Sequence, residues 1–187
     1  MSIEIIPLEL PEVRLVRPRR FGDDRGWFCE TFNEPALREG GIDFAPMQDN
    51  QSCSAHAGTL RGLHLQTAPY AQAKLVRVLR GAILDVVVDV RPDSPTFGRT
   101  VRQHLDADSG EQLFVPKGFA HGFLTLEDRT EVFYKVDDRY APGHAVSIAW
   151  NDPDLDIDWP VDDPILSAAD RDAISFDEWC RRASRAA

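Results

Sequence analysis

Two histidines and a lysine stand at spacings that could support chemistry. From Gly58 to Gly81 the chain reads G-x5-His64-x-Gln66-x7-Lys74-x6-Gly81, and from Gly110 it reads G-x5-Pro116-x-Gly118-x2-His121. Such a set could hold a metal ion or move a proton. A metal centre wants three or four protein ligands, and an ammonium at Lys74 repels a divalent cation, so no bound metal is expected. Proton transfer suits the set better. An imidazole titrates near neutral pH and can take and hold a proton, and a lysine steadies a developing oxyanion by direct charge. Taken singly, either histidine reads as an ordinary strand histidine with a hydrogen-bond partner. The paired spacing and the neighbouring lysine favour a site.

Strands must carry these residues. Short runs rich in Val, Ile, Leu and Phe occur at Leu75–Leu79, Ala82–Val90, Thr100–Leu105, Gln112–Pro116, Gly122–Leu126, Glu131–Val136 and Ala145–Trp150, separated by Gly, Pro and Asp. Close-set strands without helical patterns between them predict an all-β sandwich or barrel. Two short helices are expected, near Pro35–Gly40 and Asp177–Arg185. The Asp- and Pro-rich stretch 151–170 reads as an irregular strap over the barrel, because Leu155, Ile157, Trp159, Ile165 and Leu166 call for burial. The 187 residues, with no repeats and no low-complexity tract, are expected to form one domain over 1–187.

Charge and composition exclude several function classes. The chain carries 43% hydrophobic and 28% charged residues, an ordinary globular balance. No apolar run nears the roughly 20 residues of a membrane span, and residues 1–16 lack a secretory layout. The net charge of −10 is concentrated in residues 151–178, with ten acids against one base, Arg171. The rest is nearly neutral and shows no basic stripe, so nucleic acid is not an expected partner. The three cysteines, Cys29, Cys53 and Cys180, are scattered and odd in number. Neither a disulfide framework nor a CxxC zinc site is expected, and a reducing cytoplasm fits.

The two glycine-bounded motifs resemble those of the cupin superfamily, small jelly-roll barrels built as a double-stranded β-helix. Gln66 stands where the second metal-binding histidine usually lies, and Lys74 where the glutamate does. More specifically, TLRGLHLQ (59–66), QAKLVRVLRG (72–81), DVVVDVRPDSPTFG (85–98), QLFVPKGFAHGFLTL (112–126) and WNDPDLDIDWP (150–160) resemble the dTDP-4-dehydrorhamnose 3,5-epimerases. FGDDRGWFCETFNE (21–34), QDNQSCS (48–54) and LSAAD (166–170) extend the resemblance over roughly residues 20–170.

The resemblance implies an all-β jelly roll with a few peripheral helices and a cofactor-independent epimerisation at carbons 3 and 5 of a dTDP-linked 4-keto-6-deoxyhexose. Such a reaction needs a base on one face of the sugar, a group to hold the enolate oxygen, and an acid on the opposite face. His64 is the natural base. The resemblance offers Asp170 to orient it, Lys74 for the enolate and Tyr134 as the acid, although from periodicity alone Tyr134 is equally a core tyrosine with a capped hydroxyl. For the substrate it implies Arg61 at the phosphates, His121 facing the sugar, Tyr140 along the ligand, and Gln48, Asp49 and Asn50 lining the nucleotide. Phe21 is implied to bind substrate, and Arg25 and Glu30 to reach the site of a second subunit, making a homodimer with exchanged N-terminal strands. From the sequence alone, Arg25 and Glu30 read equally as an exposed charge pair around a turn.

The chain departs from the family pattern at a few positions. His144 stands where an acid is common, Ala169 where a lysine is, Arg139 replaces the first tyrosine of a pair, and Leu65 follows His64 where Phe or Tyr is usual. The alternatives are a single-centre epimerase of a related nucleotide sugar, a metal-dependent cupin and a non-catalytic sugar-binding cupin.

Overall fold

Side-chain alternation decides what each strand contributes. The computed structural model describes residues 3–186. The elements before the first motif are β1 (Ile3–Pro7), β2 (Arg14–Pro18), β3 (Arg20–Asp23), β4 (Gly26–Cys29), α1 (Glu34–Glu39) and β5 (Gln48–Ser54). Next come β6 (Leu60–Gln66), β7 (Lys74–Arg80), β8 (Ala82–Asp89), β9 (Thr100–Asp106), β10 (Gln112–Val115), β11 (Phe119–Thr125) and β12 (Thr130–Val136). A 3-10 turn (Pro142–His144), β13 (Ala145–Ser147), α2 (Ala168–Arg171) and α3 (Phe176–Ala186) complete the order.

The strands form an antiparallel sheet β1-β2-β10-β7-β12-β5, a second antiparallel sheet β13-β6-β11-β8-β9, and the separate hairpin β3-β4. Leu15, Val76, Val78, Leu113 and Val132 of the first sheet meet Ile83, Val87, Leu105, Phe119 and Phe123 of the second in one core. This is the expected jelly roll, with open-edged sheets rather than a closed cylinder.

The second sheet is covered on its other side as well. Val86, Val88, Ala120 and Leu124 pack there against Leu155, Trp159, Phe176 and Trp179, from the strap and α3. Such double-sided burial explains the unbroken apolar run of β8. Within the strap, Ile157 and Leu166 are partly buried against the same cluster. Ile165 is not. It is 50% exposed, because its backbone pairs with the main chain at Gly58 and Leu60 while its side chain points outward.

Helix α1 forms where expected, capped by the Asn33 side chain on the Ala36 N–H and led by Pro35. The expected strand 145–150 shortens to Ala145–Ser147. Expected strand 122–126 begins earlier, at Phe119. Six strands lie before Leu75, where the hydrophobic pattern indicates none. The reason is clearest in β5, QDNQSCS, which has no β-branched or aromatic residue. Its inward face borders a polar cavity, so the usual apolar alternation is missing.

Candidate active site

An irregularity in β6 turns the first motif into a site. Pairing of β11 with β6 slips between His121 and Phe123, opposite Gly62, whose φ of +141° disfavours any side chain. A Cβ there would stand 2.4 Å from the Gly122 Cα. Past this bulge the alternation shifts, so Arg61 and His64, three residues apart, line one cavity.

His64 and Asp170 meet across 106 residues of sequence, with Nε2 and Oδ1 2.6 Å apart. A carboxylate can only accept, so the Nε2 proton of the neutral imidazole donates and Nδ1 keeps its lone pair. Asp170 sits in the single-turn helix α2, begun by Ser167. The Ser167 hydroxyl accepts from the Asp170 N–H at 3.1 Å and lies 2.6 Å from the carboxylate Oδ2, to which it can donate. Burial would push the Asp170 carboxyl up, but hydrogen bonds from His64, Ser167 and the Gly62 N–H hold it below the usual carboxylate range. The His64 side chain is 42% exposed and that of Asp170 only 3%. The pair is anchored at its acid end and open at its imidazole end.

A second histidine–aspartate pair lies deeper. His121 Nε2 and Asp85 Oδ1 are 2.8 Å apart, and both side chains are buried. Burial pushes the His121 imidazole below its ordinary pKa. Asp85 opposes this, while Lys74 and His64 reinforce it. The Asp85 Oδ2 is buried without a hydrogen-bond partner. Lys74 is also buried, and its Nζ donates to the His64 carbonyl at 3.3 Å. Burial pushes the ammonium down to about 8, against the raising influence of Asp85.

Two adjoining cavities of about 400 and 230 Å³ share His64, Lys74, Tyr134 and Ala169. The first adds Gln48, Asn50, Gln66, Gln72 and Tyr140, and the second Arg61, His121, Ser167 and Asp170. Burial raises the Tyr134 phenol above its usual pKa, with Arg61 opposing. A larger hollow of about 910 Å³ lies near Ile3–Ile5 and Arg17–Arg20. Arg17 there is already paired with Glu4 and Glu111, and the described lining holds Glu39 and Ser109 but no histidine, lysine or cysteine.

The sequence-expected residues therefore divide. His64, Lys74, Tyr134, Asp170, Arg61, His121, Gln48, Asn50 and Tyr140 come together. Asp49 does not, because β5 alternation turns it to the outer face, where it pairs with Lys135 at 3.0 Å. Phe21, Arg25 and Glu30 lie on or just after the β3-β4 hairpin, outside this chain's cavities. Arg25 pairs with Asp23 rather than Glu30, and Glu30 accepts from Asn33 at 2.9 Å.

Sequence reasoning missed Asp85 and Ser167. The available signals were a charge inside the apolar run AILDVVVDV and a serine three residues before Asp170. Gln66 commits its amide to backbone groups, and among the described residues no cluster of three or more His, Cys, Asp or Glu could hold a metal ion. Of the departures from the family pattern, Arg139 stacks on Tyr70 at 5.1 Å. Tyr70 also meets His144 edge-on at 4.8 Å.

The comparisons with known proteins agree with one another. A family model described as dTDP-4-dehydrorhamnose 3,5-epimerase matches residues 7–178. A Pseudomonas aeruginosa protein of that description is 49% identical over 171 residues, covering 90% of this chain and 93% of its own. A Bacillus anthracis dTDP-4-dehydrorhamnose 3,5-epimerase crystallised with TDP and PPi is 50% identical, with a TM-score of 0.89 over 91% of this chain and 97% of that one. The Streptomyces bikiniensis 3'-monoepimerase ChmJ, in complex with dTDP-quinovose, is 38% identical, with a TM-score of 0.88 over 96% of this chain and 90% of that one.

Proposed function

The chain belongs to the dTDP-4-dehydrorhamnose 3,5-epimerase family, and from that premise we propose that it converts dTDP-4-dehydro-6-deoxyglucose to dTDP-4-dehydro-L-rhamnose. The observation that carries this reading is the convergence of His64, Lys74, Tyr134 and Asp170 on one cavity. His64 Nδ1 takes the proton from a carbon beside the ketone. The C–H electron pair becomes the enolate double bond, and the carbonyl pair moves onto oxygen. Lys74, charged below about pH 8, steadies that oxygen. Tyr134 delivers a proton to the opposite face, the ketone re-forms, and the centre is inverted.

His64 then releases its proton to solvent and Tyr134 regains one, and the same sequence serves the other of carbons 3 and 5. Protons leave and return and no electrons are transferred, so the reaction needs no redox cofactor. His121, kept neutral by burial, holds the sugar by hydrogen bonding, and Arg61 offers a planar fork to phosphate oxygens.

The working unit in this reading is a homodimer. Trp27 and Phe28 on the β3-β4 hairpin are 61% and 69% exposed, and Phe21, Arg25 and Glu30 lie outside this chain's cavities. A partner's cavity supplies their place. Free Cys29, Cys53 and Cys180 fit a reducing cytoplasm.

The test is turnover of dTDP-4-keto-6-deoxyglucose in heavy water, with mass spectrometry counting deuterium in the sugar. Two deuteriums, at carbons 3 and 5, are expected. One would support the second reading, a single-centre epimerase, which is favoured by the likeness to a 3'-monoepimerase and by the departures at Arg139 and His144, next to the cavity-lining Tyr140 and Ala145. None, from folded protein, would overturn both.

A further inference from the structure

Residues 138–141, between β12 and the 3-10 turn, meet few backbone partners. Their polar groups are taken up largely by side-chain amides. Gln72 Nε2 donates to the Asp138 carbonyl at 2.7 Å, and Gln66 Nε2 to the Arg139 carbonyl at 3.1 Å. Gln48 Oε1 accepts from the Tyr140 N–H at 3.1 Å, and Gln66 Oε1 from the Ala141 N–H at 2.7 Å. The three glutamines come from β5, the end of β6 and the loop before β7.

Gln66 is the centre of this arrangement. It is only 6% exposed, and its second amide proton goes to the Tyr70 carbonyl at 2.7 Å. Both donors and the acceptor are thus engaged. It also lies two residues beyond His64 on β6, so the two side chains leave the strand on the same side. One side chain therefore links the base's strand to the segment bearing Tyr140, whose ring is 60% exposed and lines the cavity. A surface segment could satisfy its backbone with water and remain mobile. The buried amide of Gln66 and the half-buried amides of Gln48 and Gln72 instead give it a single position, and preorganisation of this kind raises affinity by removing an ordering cost from binding.

We propose that Gln66, assisted by Gln48 and Gln72, is a positioning residue whose amide clamp holds segment 138–141 so that Tyr140 meets the nucleotide half of the substrate at a fixed distance from His64. The inference rests on the nucleotide-sugar reading above. In this reading Tyr140 contacts the nucleotide and takes no part in proton transfer, so the loss of its anchor registers in binding rather than in chemistry.

The experiment compares wild type, Gln66→Met, Gln66→Glu and Gln72→Ala by calorimetry with dTDP and by kcat and KM for the 4-keto sugar. Gln66→Met is expected to weaken dTDP binding about tenfold, equivalent to about 1.4 kcal/mol, and to raise KM alike with kcat within threefold. Gln66→Glu is nearly isosteric but sets an oxygen against two carbonyls, so it should resemble the methionine variant. Gln72→Ala, which removes a less buried anchor, should weaken dTDP about threefold and decides the matter if the Gln66 variants do not fold. Unchanged dTDP affinity in the folded variants, or a fall in kcat at constant KM, overturns the clamp. A wild type that binds dTDP but leaves the 4-keto sugar unchanged sinks the proposed reaction alone, and the clamp is still judged from dTDP affinities. A wild type that fails to bind dTDP sinks both.

Discussion

The two histidine–aspartate pairs use the same hydrogen bond in different surroundings. His64 and Asp170 are 2.6 Å apart and His121 and Asp85 are 2.8 Å apart, so contact geometry does not distinguish them. Their placement does. The first pair joins the bulged strand β6 to a one-turn helix near the C-terminal end, leaving the imidazole open to the cavity. The second joins adjacent strands β8 and β11 within one sheet and is almost wholly buried, with only an edge of His121 reaching the cavity wall. A proton carrier needs access to substrate and a partner for its charged form. A fixed hydrogen-bonding group needs to stay neutral, and burial beside Lys74 keeps His121 so. In the proposed mechanism the same kind of residue pair serves as base or as positioning element according to its solvent access.

Substitution at the open pair should give the largest effects. His64→Ala is expected to lower turnover by about 10³-fold, within the usual contribution of a positioned acid–base group, with dTDP affinity changed by no more than a few-fold. Asp170→Asn should cost about 10²-fold or more, because an amide can bind the imidazole in the wrong tautomer. Asp85→Asn should cost far less in turnover and more in melting temperature, since it alters a buried network. Equal losses in kcat for Asp170→Asn and Asp85→Asn would abolish the distinction between the pairs.

Lys74 gives a finer test because it senses the closed pair while serving the open one. With its ammonium pushed down to about 8, turnover should fall as pH rises through about 8 and the enolate loses its counter-charge. The Asp85 charge raises that value. Asp85→Asn should therefore move the alkaline limb to lower pH, whereas Lys74→Arg, charged throughout, should remove the limb even if its rate is low. A limb that stays in place in the Asp85 variant would show that the buried carboxylate does not act on Lys74.

Legibility in the sequence followed the same physical division. Strands of the doubly buried sheet were readable because burial on both faces leaves apolar runs such as AILDVVVDV. The polar wall β5 was not, because its inward residues serve a wet cavity. Local spacing singled out His64, Lys74 and His121, but Asp170 required the family resemblance, since no short-range pattern links residues 106 apart. Asp49 shows the reverse failure. Membership in a lining segment was readable, but the face of each side chain depends on register. Asp85 left a signal in a charge at an interior strand position, and its partner could be known only once β8 and β11 were paired.

The smallest expected effect is on stability, and it belongs to the closed pair. The His121 pKa in the folded protein lies below its ordinary value of 6.5, so the unfolded chain binds more protons in the interval between them. Stability must therefore be fully present above about 6.5 and decline as pH falls from there toward the folded value, with a slope of at most about 1.4 kcal/mol per pH unit from this one group. Asp170 contributes in a separate window. Its carboxyl is held below 3.8, so its stabilisation is lost only as the pH falls below 3.8 through the folded value. Thermal unfolding between pH 5 and 7 thus isolates the histidine contribution from that of Asp170. His121→Gln should flatten the profile there. A variant as steep as the wild type would mean that His121 does not resist protonation on folding, and the closed pair would then be a second proton carrier rather than a fixed neutral group.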